Sequence, residues 1–192
     1  MTSPGILIAA AGLGNRYLAA GGQGLKLDQP VSDGISVFQQ TLKNACDSGL
    51  PVHVVTRSSS GSIQAHCRFS GVPYICRDTR CLGETIAEGV RHNAGWEGWL
   101  IQLADMPFVP VGIYRLVADA LEQHVSARPF YQRLPGHPVG FARQAKADLL
   151  RLRYAEGASS VLMRYPPYKI PVMDRGVIQD IDLPLPSIRN ND

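Results

Sequence analysis

Ile6-Leu7-Ile8-Ala9-Ala10-Ala11-Gly12-Leu13-Gly14-Asn15-Arg16 is the stretch that decides the fold. The apolar run at its start is short and bounded by glycine, which reads as a strand buried on both faces of a parallel sheet. Small residues then let the backbone turn sharply and approach a ligand closely, because glycine has no Cβ to clash. Successive N–H groups in such a loop form a concave anion site. Arg16, and Lys26 further on, add two full positive charges. Strand, glycine loop and cations together suggest a site for the phosphates of a nucleotide.

Outward from this loop the pattern alternates. A Gly-rich stretch at 19–24 reads as a flap, rich in glycine and poor in core residues. Val37, Leu42 and Ala45 recur at helical spacing and Gly49 stops the run, which predicts a helix over 36–48. A second strand is expected at 51–56 and a short helix at 63–69. A third strand at 72–76 lies near an edge, because Pro73 cannot donate to a ladder. A helix follows from 83, with Glu84 at the positive end of its dipole. Trp99-Leu100-Ile101-Gln102-Leu103 is a fourth strand and ends in Ala104-Asp105-Met106-Pro107. The spacing then predicts a helix over 111–124 with Ile113, Leu116, Val117 and Leu121 buried.

Two strands, 128–131 and 138–141, are expected around a turn at Pro135-Gly136. Helices at 143–152 and 158–164, and strands at 168–172 and 177–181, complete the reading. Strands alternating with helices imply an α/β fold with a mainly parallel sheet, right-handed crossovers and one domain over 1–192. Ligands of such sheets bind outside the carboxyl ends of the strands. That places Gly12, Arg16 and Asp105 in one cleft.

The totals exclude several classes. The chain has 192 residues and a formal net charge of +3, without a dense basic block, so nucleic acid is not an expected partner. Cys46, Cys67, Cys76 and Cys81 form no Cys-x-x-Cys pair and read as free thiols of a cytoplasmic protein. Met1-Thr2-Ser3-Pro4 runs directly into the first strand with no signal peptide, and no apolar run is long enough to span a membrane.

Asp105, directly after an apolar strand, is suited to hold Mg²⁺, which typically takes one or two carboxylates plus phosphate oxygens and waters. Beside a phosphate loop this suits nucleotidyl transfer, in which positioning and electrostatics do most of the catalysis. A helix-capping aspartate is the alternative for Asp105.

At this point the residues reach a family. Ala9-Ala10-Ala11-Gly12-x-Gly14-x-Arg16 with Lys26 resembles the signature loop of the MobA-like nucleotidyltransferases, in the nucleotide-diphospho-sugar transferase superfamily. Leu103-Ala104-Asp105-Met106-Pro107, Gly83-x-Thr85-Ile86-x-x-Gly89, Gly136-His137-Pro138-Val139 and Asp180-Ile181-Asp182-x-Pro184 resemble four further blocks of that family, in its order.

The resemblance implies a three-layer α/β/α Rossmann-like fold and transfer of a nucleoside monophosphate from an NTP, with Mg²⁺, releasing pyrophosphate. It implies that Ala10, Ala11, Gly12, Gly14, Gly83 and Thr85 bind the nucleotide. Arg16 and Lys26 would hold phosphates, Asp105 and Asp182 the metal, and His137 the acceptor. Ala10-Ala11-Gly12 is similar to the loop of enzymes that cytidylylate the molybdenum cofactor, which favours CTP and a molybdopterin-type acceptor destined for a molybdoenzyme client. The chain departs from the family pattern in three places. Arg16 and Lys26 are further apart. The 155–159 segment lacks the family's aspartate and arginine. Leu183, Leu185 and Pro186 replace the usual residues after Asp182.

Two other readings compete. In an NAD(P)-dependent oxidoreductase, Gly12-x-Gly14 would begin a dinucleotide fingerprint with Asp28 or Asp33 on a ribose, but Tyr17 stands where the third glycine belongs. A non-catalytic relative would bind nucleotide or pterin and chaperone cofactor insertion. His137, with an ordinary pKa near neutrality, is either an acceptor contact, an acid/base or a turn residue. Asp182 is a metal ligand or a capping aspartate.

Overall fold

The computed structural model describes residues 3–32, 34–153 and 157–185. Asp33, the Ala155-Glu156 part of the departing segment, and Pro186 lie outside them. The quoted strand is β1 (Gly5–Ala10), followed by a five-residue helix α1 (Asn15–Ala19) and a 3-10 turn at Lys26–Asp28. A small hairpin, β2 (Pro30–Ser32) with β3 (Ile35–Ser36), leads into α2 (Val37–Asp47). Then come β4 (Val52–Thr56), α3 (Gly61–Phe69), β5 (Tyr74–Cys76), α4 (Leu82–His92), β6 (Gly98–Leu103) and α5 (Val111–Ala120). The last part holds β7 (Ser126–Tyr131), β8 (Leu134–Pro135), β9 (Val139–Ala142), α6 (Lys146–Leu149), α7 (Ser159–Arg164) and β10 (Tyr168–Val172).

The main sheet runs β10-β7-β9-β6-β1-β4-β5, with β8 attached to β7. β1 pairs in parallel with both β4 and β6, which explains its uninterrupted apolar run. β5 is the edge strand that Pro73 suggested. β9 runs antiparallel between β6 and β7, so the sheet is parallel on the β1 side and mixed beyond β6.

Alternation along β1 divides the core into two layers. Ile6, Ile8 and Ala10 face Phe38 and Leu42 of α2, Ile63 of α3 and Tyr114 of α5. Leu7 faces Ile86 and Val90 of α4, with Leu149 of α6 and Val161 of α7 in the same layer. The fold is therefore the expected three-layer α/β/α arrangement. Gly89 lets α4 lie close to β1, since a Cβ there would fall 2.3 Å from the Leu7 side chain. Ser36 and Gln39 form a capping box that starts α2.

Chain order creates the cleft. From β1 the chain moves outward to β4 and β5, then crosses back over β1 to form β6 on its other side. The loops after β1 and β6 diverge at this switch point and leave a crevice.

Four sequence expectations need correction. The strand expected at 177–181 is a 3-10 turn, Arg175–Ile178, followed by extended chain. Val177 and Ile181 are buried as their apolar character demanded, but their backbones bond to loops: His137 N donates to Val177 O and Ile181 N to Asp105 O. The turn between β7 and β8 lies at Gln132 and Arg133, both with positive φ, and not at Pro135-Gly136. The helix expected over 143–152 is a 3-10 turn at Arg143–Ala145 joined to the short α6. Leu116, expected in the buried stripe of α5, is 49% exposed, because that stripe passes instead through Ile113, Tyr114, Val117 and Ala118.

Candidate active site

The loop after β1 turns through Gly14, whose φ of +66° is left-handed and suited to glycine. Gly12 has no such backbone requirement, and a Cβ on it would meet no atom of the chain within 4 Å. The openness at Gly12 belongs to a cleft of about 380 Å³ lined by Ala9 to Tyr17, Lys26, Thr79 to Leu82, Thr85, Leu103 to Asp105 and Asp182. Of the expected nucleotide-binding residues, Ala10, Ala11, Gly12, Gly14 and Thr85 line this cleft. Gly83 is buried and does not.

The inserted 19–24 stretch is folded against Tyr17. Gly22 N donates to Tyr17 O, and the Tyr17 hydroxyl donates to Gln23 O at 2.8 Å. Gly22 packs directly on the Tyr17 ring. The chain loops out and returns, so that Lys26 arrives beside Gly14 despite the longer spacing.

Lys26 Nζ lies 2.5 Å from Asp105 Oδ2 and 3.2 Å from Asp182 Oδ1. Arg16 pairs with the other oxygen of Asp182. Burial by itself would lower the Lys26 pKa, but Asp105 and Asp182 outweigh it and leave it raised, so the ammonium is charged. The second oxygen of Asp105, Oδ1, is buried without a hydrogen-bond partner. Asp180 is nearby, and its carboxyl is pushed up by burial and by Asp182 and Asp105. The bond from Ile181 N to Asp105 O brings these two late carboxylates to the end of β6. Across the top of the same segment, Leu185 N donates to Gln29 Oε1 at 2.7 Å.

Arg57, which sequence reasoning passed over, ties the cleft walls together. Its Nη1 donates to Ala11 O at 3.2 Å and to Thr79 O at 2.8 Å. Thr79 and Thr85 share a hydroxyl–hydroxyl bond of 2.6 Å. The signal was available, because Arg57 directly follows β4 at the same carboxyl edge as Gly12 and Asp105. Glu84, expected to serve the α4 dipole, is also bound by Arg80 through backbone and side chain.

His137 stands one strand over, just before β9, with a cis peptide to Pro138. Its Nδ1 is 3.5 Å from Ile101 O. Burial, and then the Arg128 guanidinium, push its pKa down to about 4, so the ring is neutral at pH 7 and does not titrate near neutrality as expected. It is not among the residues lining the main cleft. Arg128 donates Nε and Nη2 to Gly136 O at 3.0 and 2.8 Å.

A family model, the MobA-like NTP transferase domain, matches residues 6–168. The chain belongs to this family. Its fold is shared by Rv0371c from Mycobacterium tuberculosis H37Rv, with a TM-score of 0.81 and 20% identity over 95% of this chain and 94% of that one. That protein has also been solved in complex with manganese. A nucleotidyl transferase from Methanothermobacter thermautotroptrophicus, Mth528, gives 0.78 and 21% over 94% and 92%. Molybdopterin-guanine dinucleotide biosynthesis protein A from Archaeoglobus fulgidus gives 0.62 and 17% over 87% and 83%. Compared with curated protein sequences, the chain has no significant match.

In this MobA-like domain the dinucleotide reading finds no support. Tyr17 is 5% exposed where that reading needs glycine, and Asp28 accepts a hydrogen bond from Ser62 Oγ. Among the described residues no helix is long and apolar enough to cross a membrane.

Proposed function

We propose that this MobA-like domain transfers a nucleoside monophosphate from an NTP, CTP first among them, to a phosphorylated acceptor of the molybdopterin class, releasing pyrophosphate. The observation that carries this reading is the convergence of the Gly12 loop, Lys26, Asp105 and Asp182 on one cleft at the switch point between β1 and β6.

The residues present fit a divalent cation. Asp105 Oδ1 is buried without a donor, and Asp105 and Asp182 already share a single ammonium. Among the described residues no cluster of three or more ligating side chains is poised for a metal. Two carboxylates suit Mg²⁺, which completes its shell with waters and substrate phosphates. Bound there, such an ion would neutralise charge building on the triphosphate.

The protein's own groups do the rest. Backbone N–H groups of the loop from Ala10 to Gly14 cradle the nucleotide phosphates. Lys26 supplies a charged ammonium at the cleft floor. Arg16 has an exposed side chain whose partner among the described residues is Asp182, and it can turn to the phosphates. An acceptor phosphate oxygen attacks the α-phosphorus, the bond to the bridging oxygen breaks, and pyrophosphate leaves.

His137 and Arg128 support an acceptor end. His137 directly precedes β9 and Arg128 lies on β7, the strands one and two places beyond β6 in the sheet. Arg128 has no carboxylate partner among the described residues, and burial lowers its pKa to about 10. A guanidinium so placed favours an anionic substrate group. The product's client would be a molybdoenzyme.

The test is pyrophosphate release from each NTP with Mg²⁺ and molybdenum cofactor, in the wild type and in Asp105→Asn. Release with CTP that needs Asp105 supports the reading. Nucleotide binding without turnover under all conditions favours the non-catalytic chaperone.

A further inference from the structure

Lys26 occupies an unusual place for a residue meant to hold phosphates. Its ammonium sits between the two carboxylates assigned above to a metal, 2.5 Å from one and 3.2 Å from the other. Only 13% of its side chain is exposed, and that of Asp105 only 18%. The Asp180 carboxyl adds its electrostatic influence to those of Asp105 and Asp182, and Arg16 pairs with the other oxygen of Asp182. Without a cation between them these carboxylates would repel strongly in a partly buried site.

We propose that Lys26 is a resident cation that competes with the divalent ion for Asp105 and Asp182, and so couples metal binding to triphosphate binding. This rests on the metal assignment made under the proposed function. A divalent ion that takes up the carboxylate pair displaces one ammonium from it. Lys26 lines the same cleft as the phosphate loop, with its Cβ against Gly14, so triphosphate oxygens held by that loop are alternative partners for the released ammonium. Metal alone must strand a partly buried ammonium, and triphosphate alone must draw that ammonium from its carboxylates. Each ligand removes the penalty of the other, which is positive coupling in the thermodynamic sense. No large movement is needed, because the four-carbon stem of lysine swings its charge through several ångströms.

The test is Mn²⁺ binding followed by electron paramagnetic resonance, with and without a non-hydrolysable CTP analogue. It uses the wild type, Lys26→Met, Lys26→Gln and the double variant Lys26→Met/Asp105→Asn. With nothing to displace, Lys26→Met and Lys26→Gln bind Mn²⁺ alone about 10-fold more tightly than the wild type, a typical coupling factor. The tightening of Mn²⁺ by the analogue, also about 10-fold in the wild type, falls to near unity in both variants. Equal or weaker Mn²⁺ binding by both, with the double variant binding none, overturns the competition but leaves the metal assignment standing. Undiminished Mn²⁺ binding by the double variant overturns the assignment and the competition together. Circular dichroism melting of each variant establishes that it is folded before its affinity is read.

Discussion

The ring of Tyr17 lies where Gly22 has no side chain: a Cβ on Gly22 would fall 2.4 Å from it. The contact turns an insertion that could have carried Lys26 away from the phosphate loop into a brace that returns it. Tyr17→Ala should therefore lower the melting temperature and raise the NTP Michaelis constant about 10-fold or more. Gly22→Ala should force the ring aside and destabilise by about 1–3 kcal/mol, the usual range for overpacking. Thermal melts and equilibrium nucleotide binding on the two variants check this. Unchanged nucleotide affinity in Tyr17→Ala would show that the brace does not set the position of Lys26.

Gly12 gives the opposite prediction. Its missing side chain faces open cleft, not protein. Gly12→Ala should leave stability within about 0.5 kcal/mol of the wild type, as for substitutions away from packed features. It should weaken nucleotide binding about 10-fold, the loss expected if a methyl separates backbone N–H groups from phosphate oxygens by even part of an ångström. Paired melting curves and nucleotide titrations separate the two effects.

Asp105→Asn should reduce turnover on the order of 10³-fold, the scale seen when a charge-stabilising group is lost. Nucleotide binding should change much less, since the loop after β1 remains. Steady-state pyrophosphate release beside direct nucleotide binding distinguishes lost chemistry from lost affinity. Similar losses in both would mark Asp105 as a binding residue.

Stability should fall in mild acid. Burial, with His92 adding to it, holds His53 at about 4, and burial with Arg128 holds His137 at about 4. Both lie below the ordinary value of 6.5, so between these limits the unfolded chain binds more protons. Their stabilising contribution is complete above pH 6.5 and is lost as pH falls through about 4, by up to about 3 kcal/mol for each ring. Asp180 is raised instead, and partly opposes this in acid. Urea melts at stepped pH measure the slope, and His53→Gln should flatten it.

The parallel half of the fold was legible because burial on both faces leaves a plain record. β1, β4 and β6 are buried at nearly every position and apolar apart from His53, Thr56 and Gln102, and β5 betrays its edge by Pro73. The phosphate loop and Asp105 could be joined on paper because both follow strands of one sheet. What could not be read was anything settled by backbone bonds between distant loops. The apolar pattern of Val177 and Ile181 was real, but no local signal says that their partners are His137 and Asp105 instead of a neighbouring strand. Likewise the reach of Lys26 depends on how Tyr17 folds the glycine stretch, and although the place of Arg57 after β4 was legible, its bonds to the carbonyls of Ala11 and Thr79 were not.

Asp105 and Asp182 belong to stretches of chain made far apart in time. During synthesis, β1, β4, β5 and β6 are all made by residue 103, long before residue 182. The Lys26 ammonium then has one carboxylate to rest on and lacks the second until residue 182 is translated. Until then the chain holds the phosphate loop and Asp105 with an unfinished seat for the ammonium, and residues 180–182 complete it last.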